Sequence, residues 1–220
     1  MEITYELIKK NDTINTYIRQ ADENLLAMGF TEHSFAHVTK VAETAGYILQ
    51  ELGYDSHTIE LAKIAGYMHD IGNVVNRIDH AQSGAVMSFR ILDKIGASDK
   101  DIAVIVAAIG NHDESTAFPV NPVAAALILA DKSDVRQSRV RKRADISSDI
   151  HDRVNYGVKK QNFYIDKAEK KIILSLEIDT CISEVMEYFE IFIGRMKLCK
   201  KAAEELGLHF KLIINHQEMA

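Results

Sequence analysis

The chain has 220 residues, 47% of them hydrophobic, which is enough to bury a real core in one large domain or in a domain with an appendix. Its formal net charge of -6 at pH 7 gives no general basic footprint, so long DNA or RNA is disfavoured as a partner. Only two cysteines, Cys181 and Cys199, are present; they read as small buried apolar residues rather than a disulfide framework, and a reducing compartment fits.

Apolar residues at helical spacing (Ile14, Tyr17, Ile18, Ala21, Leu25, Met28) predict a first helix over 12–28, capped by Asp12 and stopped by Gly29. A second is expected over 34–52. A third, over 57–69, carries Ala62, Ala65 and Gly66, the composition of a central helix whose neighbours approach closely. Further helices are expected over 80–95, over 98–111 with a capping-box-like start at Ser98, and after Asn121-Pro122, where an Asn cap precedes the position that best tolerates proline. Beyond about 145 the period changes. Alternation in NFYIDKAEKKIILSLEI predicts a β-hairpin over 162–178, followed by a long helix over 180–206 and one more strand in FKLII. Met186, Phe189, Phe192 and Met196 are expected to face the core of that helix, and its YFEIFIGRM segment would serve a homodimer surface as readily as an internal contact. The architecture expected is mainly α: a helical bundle over 1–144 and a small α+β subdomain over 145–220 sharing an interface with it. No basic-then-apolar leader opens the sequence and no apolar run approaches the ~20 residues that span a bilayer. A soluble cytoplasmic protein is the expectation.

The most informative feature is His69-Asp70, side by side at the end of the apolar run AKIAGYM, with Gly72 just beyond. A carboxylate closing an apolar helix is costly to bury unless something neutralises it, and a cation would. Asp131 repeats the pattern at the end of PVAAALILAD, and His112-Asp113 closes IAVIVAAIG in the same way. His33 and His37, four apart, project from one helix face, and His80 opens the next helix after the tandem pair. Imidazoles and carboxylates drawn from several helices make a site for one or two divalent ions of the Mn, Fe, Co, Ni or Zn kind. Directly after Asp131 comes a cationic block, KSDVRQSRVRKR, in which Lys132 and Arg136 are candidates to grip phosphate, Arg136 by helical proximity to Asp131. Arg77 and Asn73, close behind the tandem pair, are further candidate substrate contacts.

The order His37, His69-Asp70, Asp131, in the contexts HVTKVAETA, HDIGN and ALILADKSD, resembles the H…HD…D signature of the HD-domain superfamily of metal-dependent phosphohydrolases. The resemblance covers about 31–143 and implies a helical fold with these four residues on one metal, extended by His80, His112 and Asp113 to a second. HAQSG is similar to the histidine-led segment of the HD-GYP phosphodiesterase branch, and NHDESTAFP to its HHE segment with the following Gly-Tyr-Pro. This chain departs from that branch: Asp113 stands in place of a second histidine, Phe118-Pro119 in place of the tripeptide, and Asn73 in place of a lysine. His33 lies where some members of the branch place a glutamate ligand for a third metal. The resemblance implies hydrolysis of a small phosphate ester, a nucleotide foremost, by a metal-activated hydroxide, with His69 and Asp70 central to catalysis. Two other classes stand beside it: a regulatory ligand-binding or interaction module with a structural metal, and a non-haem iron oxygenase on the same framework.

Overall fold

The computed structural model describes residues 3–141 and 149–219, which divide into two compact units, Met1–Asp131 and Lys132–Ala220. The domain boundary expected at 144/145 falls outside the described residues. The first unit is helical: α1 (Tyr5–Lys9), α2 (Asp12–Ala27), α3 (Phe35–Glu51), α4 (Ser56–Met68), a 3-10 turn (Ile71–Val74), α5 (His80–Lys94), α6 (Asp99–Gly110) and α7 (Pro122–Lys132). Among the described residues no helix is long and apolar enough to cross a membrane.

Local chemistry sets most of these limits. Ser34, Asp55 and Ser98 each accept a backbone N–H from the first turn of α3, α4 and α6, and Asn121 Oδ1 does the same for α7 at 2.8 Å. The cap of α2 is Asn11, whose side chain accepts from Thr13 and Ile14; the expected cap, Asp12, is the first helical residue instead. Gly29, Gly53 and Gly96 follow their helices with φ of 84°, 78° and 79°. Two other glycines set packing distances. A Cβ on Gly66 would lie 2.7 Å from the Ala42 Cα, so α3 and α4 touch backbone to backbone as the small residues of α4 predicted. A Cβ on Gly72 would lie 2.0 Å from the His80 carbonyl oxygen and 2.5 Å from the Gly84 nitrogen, so the 3-10 turn sits directly against the start of α5. The interior of α7, Val123–Ala130, is at most 2% exposed.

The second unit contains a 3-10 segment (Gln137–Arg139), α8 (Ile150–Gly157), β1 (Val158–Asp166), β2 (Lys171–Ile178), α9 (Val185–Glu205), β3 (His209–Ile214) and β4 (Gln217–Glu218). The strands form one sheet in the order β1-β2-β3-β4, with β1/β2 and β3/β4 antiparallel and β2/β3 parallel. The parallel pair needs the long connection that α9 supplies. The hairpin and the last long strand lie where alternation placed them, while α9 starts five residues late, at a capping box formed by Glu184 and Glu187. Tyr188, Phe192 and Met196 are buried in this unit; Met186 is 71% exposed, a correction to its expected core role, because it lies in the first turn of the helix. Cys181 is exposed and lies before α9, not in it, whereas Cys199 is buried.

Candidate metal centre

Five helices and one tight turn deliver side chains to one buried point in the first unit. His37 projects from the first turn of α3, His69 follows the last residue of α4, Asp70 precedes the 3-10 turn, His80 opens α5, His112 follows α6 and Asp131 lies at the end of α7. All but Asp131 are at most 5% exposed. They form three overlapping donor groups: His37, His69 and Asp70; His69, His112 and Asp131; Asp70, His80 and His112. Sharing of His69, Asp70 and His112 makes them one continuous cluster.

Asp70 divides its two oxygens between two sides of this cluster. Its Oδ2 lies 3.6 Å from His37 Nε2 and 3.2 Å from His69 Nε2, while its Oδ1 lies 3.5 Å from His80 Nε2. Asp131 Oδ1 is 3.4 Å from His37 Nε2 and 3.7 Å from His69 Nε2. The Nε2 of His69 and Oδ2 of Asp70 are buried without a hydrogen-bond partner among the described residues, an expensive state that a bound cation relieves.

The imidazoles are oriented by backbone. Nδ1 of His69, His80 and His112 lies 2.8, 3.0 and 2.6 Å from the carbonyl oxygens of Gly66, Arg77 and Ile109. A carbonyl only accepts, so each bond requires the proton on Nδ1 and leaves the Nε2 lone pair to face the cluster, the arrangement that suits a ligating histidine. His80 Nε2 and His112 Nε2 then meet at 3.2 Å, lone pair toward lone pair, unless a proton or a metal ion stands between them. Burial pushes the His69 imidazole toward neutrality, but the charges of Asp70 and Asp131 more than reverse this and leave its pKa raised. Burial likewise disfavours the Asp70 carboxylate, yet His69, with His33 and His80 behind it, holds its pKa well below the usual value. The cluster therefore favours anionic oxygen beside positive charge, and its nitrogen and oxygen donors fit a divalent transition metal.

The neighbours of Asp70 fix its position. Asn73 donates from Nδ2 to the Asp70 carbonyl oxygen and to Oδ1, both at 2.9 Å, and its own Oδ1 accepts from Arg77 Nη1 at 3.3 Å. Asn73 is fully buried, so it orients Asp70, and the expectation of a substrate contact gives way to that role. Arg77 remains at the edge of the cluster, partly exposed, with Nη1 3.4 Å from His80 Nε2 and its guanidinium 5.6 Å from the Phe30 ring centroid.

Other expected site residues stand outside the three donor groups. Asp113 Oδ2 accepts from the Ser115 hydroxyl at 2.5 Å and from the Ser115 backbone N–H at 3.4 Å, in the turn after α6. His33 Nδ1 is 2.7 Å from the Thr31 carbonyl oxygen, and its ring lies 5.4 Å from that of His37, one step behind the cluster. The helical proximity expected for Arg136 is absent: α7 ends at Lys132 and Arg136 is extended. Its Nε donates to Asp134 Oδ1 at 2.9 Å, and Arg139 Nη1 donates to the Asp134 carbonyl oxygen at 3.0 Å, so the described part of the basic block folds around a buried aspartate of its own unit. Lys132 is 4% exposed, not a solvated clamp. Sequence reading missed two supports from α2. Asp22 Oδ1 accepts the His33 backbone N–H at 2.9 Å, and Asn24 Nδ2 donates to the Val74 carbonyl oxygen at 3.1 Å. Their only sequence signal is polarity in the C-terminal half of an amphipathic helix.

A helical unit that gathers imidazoles and carboxylates from separate helices around one buried point belongs to the all-helical metal-binding folds. The family described as HD domain matches residues 34–146, just over half of the chain, and the chain belongs to it. It is similar to ribonuclease Y of Enterococcus faecalis, 37% identical over 76 residues that are 34% of this chain and 13% of that protein. It is also similar to an uncharacterized protein of Methanocaldococcus jannaschii, 24% identical over 164 residues, 64% of this chain and 62% of that one. The chain thus spans less than two thirds of either relative. A crystal structure described as a predicted HD superfamily hydrolase, from an uncultured Thermotogales bacterium, is 25% identical with a TM-score of 0.46, covering 60% of this chain and 73% of that chain.

Proposed function

We propose that the chain is a metal-dependent hydrolase of a small phosphate ester, with a nucleotide as the first substrate class to try. The observation that carries this reading is the placement of Asp70, one carboxylate shared between two donor groups that together comprise His37, His69, His80 and His112. Divalent ions held there would lower the pKa of bound water and offset charge on phosphoryl oxygens. The remaining chemistry is the chain's own. Two carboxylates, Asp70 and Asp131, stand among four imidazoles, so one divalent ion would neutralise the cluster and two would leave a surplus of positive charge that favours an anionic substrate. Asn73 and the carbonyls of Gly66, Arg77 and Ile109 hold the donors so that little reorganisation is needed. Arg77, at the edge of the cluster and over the Phe30 ring, would donate to a phosphoryl oxygen of the substrate.

Metal analysis together with hydrolysis assays, phosphate release for nucleotides and simple monoesters and ring opening for cyclic dinucleotides, across Mn, Fe, Co, Ni and Zn, tests the proposal. Asp70→Ala and His69→Ala should lose metal and activity together, while Arg77→Ala should keep its metal and raise KM. Hydrolysis at the wild-type rate by metal-stripped protein would refute it, and dioxygen consumption by the iron form would transfer the reading to an oxygenase.

A further inference from the structure

The second unit has a groove of its own, about 480 Å³, formed between α9 and the ends of β2 and β3. Its volume falls in the range of small-molecule sites. Ile193, Met196 and Phe210 supply the apolar lining, with Ile193 45% exposed although it lies on a helix with ample polar face. Lys171, Lys197, Lys200 and Lys211 border the same space with His209, and Glu204 is the one carboxylate in the lining itself. Lys171 and Lys211 make ion pairs with Glu169 and Glu218, but Lys197 and Lys200, three apart on one face of α9, have no acidic partner among the described residues. Lys197 and Lys200 thus leave two uncompensated ammonium groups beside an apolar floor, in a chain whose net charge is -6. Like charges crowded on a solvated face repel one another, and a bound anion removes that repulsion.

We propose that this groove binds a phosphorylated small molecule with an apolar or heteroaromatic body, of the nucleoside phosphate class, at a site formed by the second unit alone. A multiply charged phosphate matches lysines arriving from α9, β2 and β3 better than a single carboxylate does, and the Ile193, Met196 and Phe210 surface accepts the body that phosphate alone lacks. A lysine ammonium is a flexible point charge, so the groove selects charge and apolar bulk more than exact phosphate geometry.

The test uses the full chain in EDTA, so that metal-assisted binding at the His/Asp cluster is removed, with ATP as the probe in calorimetry and in spectra of protein labelled at the methionine methyls. ATP should bind and shift the Met196 methyl resonance, assigned with Met196→Leu. Lys197→Glu/Lys200→Glu, on exposed positions of α9, should weaken binding by at least about tenfold. Inorganic phosphate should compete far more weakly than ATP. No Met196 shift at millimolar ATP, or affinity unchanged in the charge-reversed variant, would overturn the proposal; so would a Met196 shift with dodecanoate or poly-glutamate where ATP gives none, which would assign the groove to a fatty anion or an acidic peptide. These results do not depend on the phosphohydrolase reading of the metal centre.

Discussion

Gly72→Ala separates the geometry of the centre from general stability. The added Cβ would sit 2.0 Å from the His80 carbonyl oxygen and 2.5 Å from the Gly84 nitrogen, whereas real carbon contacts with backbone essentially never fall below 3.0 Å. Both obstacles are main-chain atoms of α5, so no side chain can swing aside, and the helix start must retreat from the 3-10 turn by about 1 Å or more. His80 Nε2 is 3.5 Å from Asp70 Oδ1, and metal–ligand bonds tolerate only about 0.2 Å, so a retreat of that size removes His80 from the donor set. Overpacking of this kind costs about 1–3 kcal/mol, more when backbone must move. Gly53→Ala is the control. Its φ of 78° penalises any side chain by about 1–2 kcal/mol, yet nothing lies within 4 Å of its Cβ. Denaturant unfolding and metal titration of both variants should therefore show two destabilised proteins, of which only Gly72→Ala has lost metal affinity. Equal metal affinity in Gly72→Ala and wild type would refute the link between that glycine and the placement of His80.

Asn73→Ala removes the amide that holds Asp70 and should weaken metal binding about 10–100-fold, as loss of an outer partner does, read by competition with a chelating dye. Asp113→Ala should keep wild-type metal content, in contrast to Asp131→Ala, because Asp113 is occupied with Ser115 and lies outside the donor groups. Stripping the metal should lower Tm in a metal-concentration-dependent way, since an ion that binds only the folded chain stabilises it. In the second unit, the hydrogen bond from Arg153 lowers the Glu187 pKa, so its stabilisation is present above the unfolded value of about 4.3 and is lost as pH falls through the folded one. The Tm difference between wild type and Glu187→Gln should accordingly shrink below about pH 4 in thermal melts.

Much of the centre was legible because its chemistry is local. Asp70, His112 and Asp131 close apolar helices, and a charge at the end of a buried run is conspicuous in any sequence. What the sequence leaves open is direction. His112 and Asp113 are adjacent, but only the turn after α6 decides which faces inward, and the carbonyl of Ile109 makes that choice for His112. Asn73 and Arg77 looked alike as polar residues behind HDIG; burial assigns the first to Asp70 and leaves the second at the edge. A helical period carried past Lys132 puts Arg136 beside Asp131, but the helix ends there and Arg136 is extended and bonded to Asp134. In the fold, long periodic helices and the β1–β2 hairpin could be read from spacing. α1, five residues long, and α8, eight, are too short for a period to emerge, and the parallel pairing of β2 with β3 joins segments separated by the whole of α9.

The most direct test is anomalous diffraction from crystals grown with manganese or zinc, measured on wild-type protein. Peaks within about 2.0–2.3 Å of His69 Nε2 and an Asp70 oxygen, with His80 or His112 on a second peak, are the expected result. Fully ordered His37, His69, Asp70 and Asp131 side chains with no metal peak among them, at concentrations that load other divalent-metal proteins, would contradict the account.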